Sequence, residues 1–237
     1  TSAGDDFIFC GGKFFIFKFR KATGYTRSLE VEDKVTQICI CGKEFLFTAT
    51  DEAPFAVRKY DQDSITFIQD YQPHSAPIKA LIYFDLSHIL FSGSESLIFT
   101  NTRQNTNSQV ITEKMQLSCA TMADKLSIYA AFNDNILGLY SMEDGNASNI
   151  WKTTLNFSLS CITCDTAGKA LYAGCESLIL KYTLNPLKLT MTFDMHTTPI
   201  TSITFDESGK LFSAALDGKV WSLETSANRA SLIKEGG

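Results

Sequence analysis

The stretches GSESLIF at 93–99 and GCESLIL at 174–180 each combine a glycine, a glutamate and a serine, residue types that can serve a nucleophile and an acid. A serine nucleophile needs a base within hydrogen-bond reach. Neither Ser96 nor Ser177 has one beside it in the chain. Cys161-Ile-Thr-Cys164 has the spacing of a zinc or redox pair, and Cys39-Ile-Cys41 comes close to it. A closed zinc site needs four ligands, and there is neither a second CxxC nor a well-spaced His pair to complete it. The three histidines, His74, His88 and His196, stand alone in the sequence. A phosphate-cradling GxxxxGK[ST] loop is absent. These patterns predict no catalytic residue, no cofactor and no metal.

The elements that carry these residues are short. Apolar segments of four to eight residues, rich in Ile, Val, Phe, Tyr and Thr, alternate with Gly, Asp, Asn and Ser, as in ITSITF, KLFSAAL and KVWSLET. That alternation predicts antiparallel strands, and no stretch of helical periodicity competes with it. One strand type ends at Phe19, Tyr60, Asn101, Tyr140, Tyr182 and Leu223, at steps of 41, 41, 39, 42 and 41 residues. The turns CDTAGK and FDESGK place Gly168 and Gly209 one step of 41 apart, and Pro77 and Pro199 precede equivalent strands. A four-stranded unit of about 40 residues cannot bury both faces alone, so it stacks as a propeller blade. The expected fold is all-β: a β-propeller of four-stranded antiparallel blades, about six, with the first lacking strand a. It forms one domain over 1–237, with blades near 6–33, 34–75, 76–115, 116–156, 157–196 and 197–237. In this register the cysteine pairs fall inside strand a, where buried small hydrophobes are expected.

MHTTPITSITFDESGKLFSAALDGKVWSLET in the last unit and QPHSAPIKALIYFDLSHILFSGSE in the third resemble the WD-repeat propeller family. The resemblance implies a hydrogen-bonded structural set in each blade. His196, Ser213 and Asp217 fill three of its places in the last blade, and His74 with Ser92 two in the third. The family's Trp-Asp pair is replaced at every copy, by Phe19-Arg20, Tyr60-Asp61, Asn101-Thr102, Tyr140-Ser141, Tyr182-Thr183 and Leu223-Glu224. Ser213, Asp217, Gly218 and Trp221 share letters with the box that sialidases repeat, but not its spacing.

Composition narrows the partner. A net charge of −5 with scattered Lys and Arg lacks the basic stripe of a nucleic-acid binder, and no apolar run has the length of a membrane span. Seven cysteines, an odd number spread through apolar runs, fit a reducing compartment, and the cytoplasm is expected. The family resemblance implies recognition of a protein or peptide at the face where the d–a and b–c loops emerge. There Asp51, Glu52, Glu95, Asp134, Glu176, Asp217, Glu32, Asp33 and Asp194 outnumber Lys13, Lys34, Lys114 and Lys219, which favours a basic or amphipathic segment. The long loop TDEAPFAV offers Phe55 as an anchor beside Glu52. Glu95 and Glu176, in hairpins shorter than LDGKV, are expected to face solvent or a partner, with Gly93 or Gly174 supplying a positive φ. The alternative function is an enzyme or small-ligand binder acting at a central channel. Imperfect closure leaves room for another segment or subunit to complete the seam.

Overall fold

The computed structural model describes residues 2–3, 7–24, 26–71, 73–103, 106–113, 115–143, 146–165, 169–225 and 229–234. Gly168 and Lys114 lie outside the described residues. The fold class is the expected one: an all-β β-propeller architecture of six four-stranded antiparallel blades, with no helix among the described residues. The chain divides into two compact units, Thr1–Gln116 with Glu143–Ala147, and Leu117–Met142 with Ser148–Gly237.

The first unit holds three blades. Blade 1 is β1 (Ser2–Ala3), β2 (Phe7–Gly12), β3 (Phe15–Arg20) and β4 (Thr26–Glu30). Blade 2 is β5 (Val35–Cys41), β6 (Phe45–Thr50), β7 (Val57–Asp61) and β8 (Phe67–Asp70). Blade 3 is β9 (Ala80–Phe84), β10 (Ile89–Gly93), β11 (Ser96–Asn101) and β12 (Thr106–Thr112). The expectation that blade 1 lacks strand a is corrected. Ser2 and Ala3 pair antiparallel with Ile8 and Phe7. The strand has two residues and no apolar run, so only its backbone bonds identify it.

The second unit holds the other three, except that Glu143 at the end of β15 and Asn146 and Ala147 at the start of β16 belong to the first. Blade 4 is β13 (Leu117–Met122), β14 (Ser127–Phe132), β15 (Ile136–Glu143) and β16 (Asn146–Thr154). Blade 5 is β17 (Cys161–Cys164), β18 (Ala170–Cys175), β19 (Leu178–Leu184) and β20 (Leu187–Asp194). Blade 6 is β21 (Ile200–Phe205), β22 (Leu211–Ala215), β23 (Val220–Glu224) and β24 (Arg229–Lys234).

Within each unit the core lies between blades, as single sheets with two apolar faces require. Phe9 and Ile16 of blade 1 pack with Leu46 and Tyr60 of blade 2, and Phe47 and Val57 of blade 2 with Leu81, Tyr83 and Leu90 of blade 3. In the second unit Leu137 meets Leu171 and Leu180, and Tyr172 and Ile179 meet Ile203 and Leu211. Strands β10, β14 and β18 are buried along their whole length, whereas β4 and β8 are mostly exposed. A strand covered on both faces reads as a continuous apolar run, and an outer strand does not.

Glycine acts here differently from the expectation for the two hairpins that echo each other. Neither Gly93 nor Gly174 has a positive φ; in the second hairpin Glu176 takes it, at 49°. Gly174 is required by close approach instead. A Cβ added there would lie 2.6 Å from Cys161 Sγ and 3.1 Å from Cγ2 of Ile200.

Candidate functional site

The two histidines that precede strand a form the same bond in their blades. Nε2 of His74 lies 2.8 Å from Ser92 Oγ, and Nε2 of His196 lies 2.8 Å from Ser213 Oγ. All four side chains are buried. Burial disfavours the imidazolium, lowering the pKa of His74 to about 4 and that of His196 below its usual value. Asp217 does not reach His196 by a hydrogen bond. It accepts from Thr197 Oγ1 at 3.3 Å and from the Lys219 N–H at 3.0 Å, while its own N–H donates to Thr198. The Asp217 carboxylate therefore closes the corner between the d–a loop and the b–c turn.

Two other turn acids close their corners in the same way. Asp51 Oδ2 accepts from Lys34 Nζ at 3.0 Å, and Glu95 Oε2 accepts from Ser75 Oγ at 3.4 Å. Asp51 is thus charge-balanced within blade 2. Glu95 is exposed but shares this corner bond, although its shortened hairpin suggested freedom from internal bonding. Glu52 in the first unit, and Asp134, Glu176 and Asp194 in the second, are exposed at b–c turns or d–a loops. Phe55 is half-buried at φ 48°, with its N–H donating to Glu52 O and its carbonyl accepting from the His74 N–H. The backbone of its loop is tied down rather than free.

A groove of the first unit runs between blades 1 and 2, from the d–a loop to the start of β8. It has a volume of about 380 Å³ and is lined by Leu29, Glu30, Val31 and Glu32 from one side and Arg58, Tyr60, Phe67 and Asp70 from the other. Its floor is an ion network. Arg58 pairs with Asp33 at 2.8 Å and with Asp70 at 3.4 Å. Asp33 and Arg58 are mostly buried, so their pairing counts for more than a surface pair. Glu30 and Glu32 are exposed at the lip, and Phe67 is 55% exposed beside them. A basic side chain could meet Glu30 or Glu32 while an apolar neighbour covers Phe67. Of these residues the sequence singled out Glu32 and Asp33 as acids of a binding face and Tyr60 only as a marker of register. Phe67 and Asp70 sit at the two ends of β8, and only the apposition of blades 1 and 2 brings them into one groove with Glu30.

The cysteines are free thiols. On a strand, residues three apart project to opposite faces, so Cys161 and Cys164 cannot converge on one ion. Burial pushes the thiol pKa of Cys39 and Cys164 up to about 12 and raises those of Cys41, Cys161 and Cys175. At neutral pH these are thiols rather than nucleophilic thiolates. Among the described residues no group of three or more His, Cys, Asp or Glu is placed to hold a metal ion, and no helix is long and apolar enough to cross a membrane. No family model matches the chain, and no curated protein matches it by sequence.

Proposed function

We propose that this protein is a non-enzymatic interaction module of the WD-repeat kind, which binds a basic, amphipathic segment of a protein partner. The groove between blades 1 and 2 carries the reading. Its lip offers Glu30 and Glu32, its wall offers the exposed ring of Phe67, and its single arginine is already paired with Asp33 and Asp70. An arriving Lys or Arg therefore meets carboxylates with no competing free cation among the described residues of the groove. Glu52 and Glu95 extend the negative potential along the neighbouring turns of blades 2 and 3. Charge of this kind acts mainly on the association rate, while the apolar contact slows dissociation. Seven cysteines with no disulfide among the described residues favour a cytoplasmic or otherwise reducing location for the module.

The test is fluorescence anisotropy of a labelled 12-residue peptide alternating Lys or Arg with Leu, with its Glu-for-Lys counterpart as control. Binding should weaken at least tenfold in the Glu30→Lys/Glu32→Lys double variant and several-fold in Phe67→Ser. Raising salt from 25 to 300 mM should slow association, since exposed charges are screened beyond a Debye length of about 10 Å at 0.1 M. Equal affinity for the acidic control, or no response to charge reversal, rules the reading out.

A further inference from the structure

The repeat supplies an internal comparison at the opposite end of the first unit, where the a–b and c–d turns lie. Lys18 of β3 and Lys59 of β7 occupy the same register, 41 residues apart, each opposite a phenylalanine: Phe9↔Lys18 and Phe47↔Lys59. Both are buried, at 7% and 8% exposure, and both ammonium groups lie on aromatic rings, Lys18 at 4.2 Å from Phe7 and Lys59 at 3.7 Å from Phe45. They differ in what completes the shell. Lys18 Nζ donates to Gln62 O at 3.0 Å, to Asp63 Oδ1 at 3.2 Å and to Asp63 O at 3.4 Å, all from the c–d turn of blade 2. Lys59 has no hydrogen-bond or ion-pair partner among the described residues. Its side chain lines a cavity of about 350 Å³ between blades 2 and 3.

The stem of Lys59 is buried while its ammonium opens onto this cavity with no oxygen partner among the described residues, which leaves it available to an anion. The rest of the cavity indicates which partner would suit. Phe45 gives an apolar wall. Tyr83 Oη, 3.0 Å from His88 Nδ1 and 3.4 Å from Thr102 Oγ1, gives a polar one. Lys43 and Arg103 stand with Lys59, against Glu44 and Asp85, leaving an excess of one positive charge. One excess charge suits a monoanion; a phosphate dianion would also face the two carboxylates. The volume falls in the range of small-molecule sites.

We propose that the cavity between blades 2 and 3 is a binding site for an organic carboxylate, anchored by Lys59 and entered past Arg103. It lies on the face of the blade-2 sheet turned toward blade 3, opposite the face that carries Arg58 and Tyr60 of the groove, and it stands or falls independently of the reading given for that groove. Burial lowers the pKa of Lys59, the effect opposed in smaller part by Cys41 and Glu44. An incoming carboxylate would reverse that shift.

The experiment is a two-dimensional NMR titration of the intact chain with three probes: benzoate as a free acid, N-acetylglutamate N-methylamide as a peptide side chain, and inorganic phosphate. Saturable shifts at Phe45, Tyr83 and Thr102 are expected with at least one carboxylate, and whichever binds more tightly identifies the source. Affinity should fall at least tenfold in Lys59→Met. The exposed Arg103→Glu variant provides a second reading should Lys59→Met fail to fold, with a loss of at least threefold. Absence of localised shifts with both carboxylates, tighter binding of phosphate, or carboxylate binding that survives both substitutions overturns the proposal.

Discussion

Replacing Lys18 and Lys59 separately by methionine keeps the length and apolar stem of each side chain and removes its charge. For Lys18 the loss is structural. The Gln62 carbonyl, in a residue only 4% exposed, is left without its donor. The Asp63 carboxylate, 89% exposed, adds little. A charge-assisted hydrogen bond contributes about 1.5–3 kcal/mol, so Lys18→Met should destabilise by about 2–3 kcal/mol. At about 2–4 °C per kcal/mol for a chain of this size, its Tm should fall by about 4–12 °C. For Lys59 the loss is smaller. Losing the contact with Phe45 costs up to about 2 kcal/mol, while the ammonium opens onto the cavity and its removal leaves no bonded partner behind among the described residues. Lys59→Met should therefore lower the Tm by less than Lys18→Met does. Differential scanning fluorimetry and urea titration at pH 7, without added carboxylates, measure both. Equal losses in the two variants would refute the distinction between a satisfied and an unsatisfied lysine.

Acidification should destabilise the protein through its two buried histidines. Their folded pKa values lie below the usual 6.5, so the unfolded state binds more protons as the pH falls, and their stabilising contribution diminishes from about pH 6.5 toward pH 4. Melting curves between pH 7 and 4.5 should show this slope, and His74→Gln, which retains an amide donor for Ser92, should flatten it; an unchanged slope in that variant contradicts the assignment. Gly174→Ala should cost about 1–3 kcal/mol in urea unfolding, because the added methyl meets Cys161 Sγ at 2.6 Å. Combining it with Cys161→Ala should cost less than the sum of the two single changes, and strict additivity would show that the sulfur is not the obstacle.

Where sequence reading succeeded, the information was local or periodic. Strands separated by turns at a constant step require the blade, and the aromatic or apolar ends at Phe19, Tyr60, Tyr140, Tyr182 and Leu223 mark its register. The His74–Ser92 and His196–Ser213 bonds followed from the family resemblance, because position in the blade alone brings those residues together. What escaped was set by neighbours in space. Ser2–Ala3 pairs through backbone alone, so composition does not mark it. Glu176 rather than glycine adopts the left-handed conformation in its hairpin. Counting acids overstated the free negative charge, since Lys34 meets Asp51, Arg58 meets Asp33 and Asp70, and Ser75 bonds Glu95. The groove was invisible because Glu30 and Phe67 belong to different repeats.

The corner bonds Lys34–Asp51, Ser75–Glu95 and Thr197–Asp217 each join a d–a loop to the b–c turn of the blade it leads into. Every one of these junctions is self-contained: its two halves travel within about 20 residues of chain and depend on no other blade for their closure. Substitutions that remodel one corner can thus be accepted without retuning the next. A chain built this way can alter the loops of one blade at a time, while the cores between neighbouring blades hold the fold constant.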